Sequence, residues 1–170
     1  MNKLIMVLLL LSLAIPLKAR LSESTTECEN RYGKPLYSFT DTGSFLHNYY
    51  LKGEFFVQIT FKDSKAVGIC YSKPDVRSRF YQQLVKSGEW KDIDAYLRFI
   101  NLRMFAYEME MLRKYNAEGC SWDEALPGSI WHRSDGTEAL YDTTNNTFSI
   151  NRPEYTAYLS SKAEKGLIGF

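Results

Sequence analysis

The sequence predicts an α+β fold in which helices pack on one face of an antiparallel meander sheet, and three observations carry that expectation. Residues 35–72 place apolar side chains at a period of two, with short polar turns between the runs. Residues 75–116 change to a period of three to four, the spacing of amphipathic helices. The last third returns to short strand-like runs divided by Ser134-Asp135-Gly136-Thr137 and by Asp142-Thr143-Thr144-Asn145-Asn146. Turns this short join antiparallel neighbours, since a parallel crossover needs about a dozen residues or more.

Taken in order, the chain opens with Met1-Asn2-Lys3, an apolar run from Leu4 to Ile15, and Pro16-Leu17-Lys18-Ala19. A basic start, a short apolar stretch and a small residue at a cut site are the parts of a secretory signal peptide over residues 1–19. The run is too short for a membrane span, which needs ~20 apolar residues. Cleavage leaves 20–170, read as one domain. Thr26-Glu27-Cys28-Glu29 fits a capping box, so a short helix is expected from Thr26 to the Gly33 and Pro35 breakers.

Strands then follow at Leu36 to Phe39 and Phe45 to Leu51, with Gly53 at a turn. Next comes a hairpin in which Phe55, Val57, Ile59 and Phe61 face one side and Val67, Ile69 and Tyr71 continue that face. Val76, Phe80 and Leu84, then Ile93, Tyr96, Leu97 and Ile100, then Phe105, Met109 and Leu112 mark helices whose apolar stripe is core. The later strands are Ile130 to Arg133, Glu138 to Tyr141 and Thr147 to Ile150, with Trp122-Asp123-Glu124 in a loop before them. Pro153 opens a closing helix reaching Lys165. Residues 26–72 and 104–150 read as two helix-meander units in tandem, with 75–101 a helical insert between them.

Composition narrows the function. The formal charge of +1 becomes −1 once Lys3 and Lys18 leave, and basic and acidic residues alternate along the chain, so neither nucleic acid nor an anionic membrane surface is an expected partner. Cys28, Cys70 and Cys120 are the three cysteines, with no Cys-x-x-Cys spacing, and the two histidines, His47 and His132, have no neighbour at metal-ligand spacing. No metal and no cofactor is therefore expected. An exported chain with three thiols can form one bridge. Cys28 with Cys120 is the expected pair, because both stand at helix boundaries whereas Cys70 lies within a strand. The residues before Cys28 do not form a lipid-attachment signal, so no stable membrane anchor is expected after cleavage.

Arg31-Tyr32-Gly33-Lys34-Pro35, followed by the runs 54–61 and 66–71, resembles the helix, Gly-x-Pro, meander unit of β-lactamase inhibitor proteins. The small lipoproteins of the outer-membrane β-barrel assembly machinery share that unit, but their anchoring cysteine has no counterpart here. Cys28-Glu29-Asn30-Arg31-Tyr32-Gly33 and Trp131-His132-Arg133-Ser134-Asp135-Gly136 are also similar to motifs of small exported bacterial proteins of unknown function. The resemblance implies protein binding and carries over no catalytic residue.

Catalytic chemistry finds little support in the residues themselves. His132, Ser134 and Asp135 sit within one short hairpin, where a Ser-Asp-Gly-Thr turn already accounts for them and where a nucleophile, base and oxyanion site could hardly converge. Cys28 and His47 could make a thiol and base pair, although no signature brings them together. Glu108 and Glu110 point to different helix faces. The chain holds 3 Trp, 12 Tyr and 10 Phe, more rings than one core can hide. Tyr49, Tyr50, Trp122, Trp131 and His132 are the expected interaction surface. The functional expectation is a non-enzymatic, exported module that binds a protein partner in the cell envelope or outside the cell. The alternative is a small envelope hydrolase or glycan-binding module using the Trp122 to Asp135 region.

Overall fold

The computed structural model describes residues 20–53, 55–73 and 104–167. The expected signal peptide 1–19 and helical insert 75–101 lie outside the described residues. The fold is α+β, as expected: among the described residues, an eight-stranded antiparallel sheet with three helices. The first half comprises helix α1 (Thr25–Tyr32) and strands β1 (Tyr37–Thr40), β2 (Leu46–Lys52), β3 (Phe55–Lys62) and β4 (Lys65–Ser72). The second comprises α2 (Ala106–Tyr115), β5 (Trp122–Leu126), β6 (Ile130–Arg133), β7 (Glu138–Asp142) and β8 (Thr147–Asn151), and α3 (Pro153–Leu167) closes the chain. The strand order is β1-β2-β3-β4-β8-β7-β6-β5, so two four-strand meanders meet along their last strands.

The helix starts follow from local chemistry. Ser24, two residues before the expected cap, is the N-cap of α1: Glu27 N–H donates to its Oγ at 3.3 Å, and the Glu27 carboxylate accepts from Ser24 N–H at 2.7 Å. Gly33, at φ +86°, ends the helix as expected. Pro153 takes the first position of α3, where its missing N–H costs nothing. Trp122 to Leu126 is a strand rather than the expected loop. Its Asp, Glu and Ala have weak strand propensity, and pairing with β6 outweighs that preference at a sheet edge.

One face of the sheet is closed. Asn48, Ile59, Ile69, Ile150, Ala139 and Trp131 are successive cross-strand neighbours across its centre. Cys28 and Tyr32 of α1 and Met109 and Leu112 of α2 complete the same buried cluster. Each helix packs on the second strand of its own meander: the Tyr32 and Tyr50 rings are 5.2 Å apart, and the Arg113 guanidinium lies 4.0 Å from the centre of the Trp131 ring. The expected face of β3 holds, with Val57, Ile59 and Phe61 buried there and Phe55 packed against them.

The expected face of β4 does not hold throughout. Phe61 pairs with Ala66 and Thr60 with Gly68, so Val67 is the extra residue of a bulge. Ala66 thereby joins Ile69 and Tyr71 on the closed face, while Val67 turns to the opposite one and packs with Phe45 and Tyr155. Helices accordingly cover both faces rather than one. Gly68 permits this on the second face, because a Cβ there would come within 2.6 Å of the Tyr155 ring.

The expected Cys28–Cys120 bridge is absent, and all three cysteines are free. The Cys28 thiol is sealed in the core with Glu23 at 3.8 Å, while Cys120 lies in the loop between α2 and β5.

Ile59→Asp should destabilise the fold by ~3 kcal/mol or more, because it buries a charge among apolar neighbours. Gln58→Asp, half-buried on the other face, should cost well under that, and paired thermal melts will show whether the two differ in this order.

Candidate functional site

Among the described residues, the second face of the sheet is only partly covered, and it changes character from one edge to the other. A cross-strand row on this face runs through Tyr37, Tyr49, Gln58, Cys70, Ser149 and Leu140 to Ile130. It is aromatic at the β1 end, polar at the β4·β8 seam and aliphatic toward β5. The face of a strand is set by the pleat alone, so this gradient is written in alternate residues of every strand.

At the β1 end, Leu36, Tyr37 and Phe39 are 38, 39 and 36% exposed. Tyr37 and Phe39 rest on buried rings. Phe39 stacks on His47 with centroids 4.7 Å apart, and Tyr37 lies 5.9 Å from Tyr49. His47 Nδ1 is 3.1 Å from Thr60 Oγ1 and accepts from Gln58 Nε2 at 3.1 Å, while its Nε2 lies 3.2 Å from Asp41 Oδ2. Asp41 also accepts from the Tyr158 hydroxyl at 2.7 Å and from the Gly43 and Phe45 amides, tying α3 to the β1–β2 turn. Burial works against its ionisation, but these hydrogen bonds outweigh that and hold Asp41 below the ordinary 3.8.

Asp41, His47 and Thr60 thus stand in the order of a proton relay, drawn from a turn and two strands, although His47 Nε2 is within ion-pair distance of Asp41 without making a well-formed hydrogen bond. Thr60 is only 2% exposed, and Gln58 shares His47 Nδ1, which suits a support for the surface rings better than an attacking hydroxyl. Beside the relay, over the β4·β8 seam, is a cavity of about 210 Å³ lined by Gln58, Thr60, Gly68, Cys70, Thr147, Ser149, Asn151, Tyr155 and Leu159.

Most of the expected interaction surface lies elsewhere. Tyr50 and Trp131 are core residues of the closed face, and Tyr49 is buried beneath Tyr37 and Phe39. Trp122 is half-buried against the same core, with its indole N–H donating to the Arg113 carbonyl at 2.9 Å. Only His132 is exposed. Polar flanks suggested exposure for these aromatics, but strand alternation and the covering helices decide it. The exposed rings of β1 were legible only as strand residues, since nothing local marks an edge. Cys28 and His47 stand on opposite faces, so no thiol and base pair forms.

His132 and Asp135 do not converge either. Asp135 accepts from Thr137 N–H at 3.1 Å and from Arg133 Nη2 at 2.6 Å, and the same guanidinium reaches Glu118, Thr137 and the Asn116 carbonyl. The Arg133 guanidinium holds the Asp135 carboxyl well below the usual carboxylate range. This is a structural turn that ties α2 to the β6–β7 hairpin. Among the described residues, no group of His, Cys, Asp and Glu could hold a metal ion, and no helix is long and apolar enough to cross a membrane.

His132→Ala should leave the melting temperature nearly unchanged. Gly136→Val should cost ~1 kcal/mol or more, because Gly136 has φ +83° and a Cβ there would meet Pro153 Cγ at 2.9 Å. Asp135 has a lowered native pKa, so its stabilisation is present above the ordinary 3.8 and is lost as pH falls below it. Stability measured by denaturant titration should therefore fall less steeply in acid for Asp135→Asn than for the parent.

No protein-family model and no curated protein matches this sequence. Among solved structures, the chain is similar to one described as a cysteine-rich secretory protein from Staphylococcus aureus, with a TM-score of 0.40 and 5% identity. The alignment covers 81% of this chain and 46% of that one, so this chain spans about half the length of the protein it matches.

Proposed function

We propose that the protein is an exported, non-enzymatic module that binds another protein through strand β1 and the aromatic end of the open sheet face. The observation that carries this reading is the surface of Tyr37 and Phe39, two exposed rings held on a buried platform of His47 and Tyr49, with the exposed Leu36 just before them in the chain. Aromatic side chains already fixed in place lose little freedom on binding and are the preferred anchors of protein interfaces.

The two edges of the sheet differ in a way that supports the same reading. β5 carries Asp123 and Glu124 and a register shift before Leu126, which are devices that discourage strand pairing. Leu36 to Thr40 holds no charge at all. The helix and Gly-x-Pro unit resembling β-lactamase inhibitor proteins points to protein binding as well. Export rests on the signal-like residues 1–19. The alternative in the Trp122 to Asp135 region loses support, because Trp131 is buried and Asp135 is committed to Arg133.

A photo-crosslinking residue placed at Tyr37 or Phe39 and activated in producing cells tests the proposal. Protein adducts of discrete mass are expected at these positions, and Phe39→Lys should abolish adducts formed at Tyr37. Adducts of equal yield from Tyr107, an exposed ring on α2, or none from β1, would overturn it.

A further inference from the structure

We propose that the cavity over the β4·β8 seam binds a small uncharged ligand rich in hydroxyl and amide groups, with a single neutral sugar ring as the class that fits. Its floor is made of two cross-strand rows, Gln58-Cys70-Ser149 and Thr60-Gly68-Asn151, and its wall of Tyr155 and Leu159 from α3. At about 210 Å³ it falls below the ~300 Å³ at which sites for drug-sized ligands begin, which limits the occupant to about one ring.

The chemistry of the lining selects the class. No Asp, Glu, Lys or Arg contributes to it. A carboxylate or ammonium entering this space would shed water without meeting a counter-charge, whereas a neutral polyol would not face that cost. Hydroxyl and amide side chains each donate and accept, as a sugar does. Some of the lining is already engaged: Thr60 with His47, the Gln58 amide nitrogen with His47, and Cys70 with Thr147. The Ser149 hydroxyl and the Asn151 amide have no side-chain hydrogen bond among the described residues, which leaves a donor and acceptor pair facing the space. Leu159, 40% exposed, supplies an apolar flank for the carbon face of a ring.

The cavity depends on tertiary structure at several points. Gly68 lets Tyr155 approach the sheet, and the seam brings Cys70 and Ser149 side by side. It adjoins the β1 platform through the Gln58 and Thr60 contacts to His47, but Ser149 takes no part in that platform, so a Ser149 variant tests this site without testing the other.

Amide chemical shifts of the mature exported protein, followed during titration with glucose and N-acetylglucosamine and with their charged counterparts glucuronate and glucosamine, test the proposal. The neutral sugars should shift amides of β4, β8 and the start of α3 with a Kd of roughly millimolar or tighter, and the charged sugars should not. Ser149→Ala should weaken binding about fivefold through the lost hydrogen bond, and Ser149→Leu should abolish it by filling the space. Tighter binding of the N-acetylglucosamine disaccharide would identify the end of a glycan chain as the source, and equal binding a free monosaccharide; both support the class. Absence of shifts, equal binding of the charged sugars, or unchanged affinity in Ser149→Ala would overturn it. The alanine variant keeps the test decisive should the leucine variant unfold.

Discussion

The pairing of β4 with β8 is the constraint on which the rest of this structure depends. Each meander alone is a four-strand sheet with one helix, too little apolar surface for an independent core of any depth. Five residue pairs along the seam, from Gly68 with Asn151 to Ser72 with Thr147, turn two such sheets into one. Ile69 then meets Ile150, and Tyr71 meets Phe148, at the centre of the closed face. Because the meanders join by their last strands, α1 and α2 fall on the same side and share one core.

Two buried cations fasten α2 to that sheet. Lys73, just past β4, has a side chain with no exposed surface and donates to Glu108 at 2.7 Å, while Glu108 also accepts the Phe105 N–H at the start of α2. Arg133 performs the same task at the other end of α2 by binding the Asn116 carbonyl, Glu118 and Asp135. A pair buried on both sides, as Lys73 with Glu108 is, adds little over a well-packed apolar alternative, but removing one partner costs ~3–5 kcal/mol because the other charge stays buried. Together they tie both ends of α2 to the sheet.

The open face owes its chemical character to what α3 leaves uncovered. Tyr155 and Tyr158 pack beside Phe45, and Tyr158 reaches Asp41, so the helix holds the β2 end of the sheet without covering β1. The bulge at Val67 supplies the apolar contact that this arrangement requires. Aromatic surface, polar cavity and aliphatic strip therefore follow one another across a single sheet face, each on a rigid backbone.

Strand and helix identity were legible in the sequence wherever periodicity was strong: β2, β3, β4 and β6 to β8, the Gly33 helix end and Pro153 at the start of α3 all lie where the pattern places them. So was the turn role of Asp135 and Gly136, because it depends on neighbours two residues away. The bulge at Val67, the second covered face, β5 and the identity of the exposed rings were not legible. Each depends on a partner distant in the chain. Val67 turns outward because of how Thr60 and Phe61 pair across the hairpin, and Trp131 is buried because α2 lies over it. The candidate sites belong wholly to this second group. Tyr37 becomes surface only because β1 ends the sheet, and Cys70 meets Ser149 only because two meanders join, so local sequence determined the elements while long-range pairing decided which of their faces remained open.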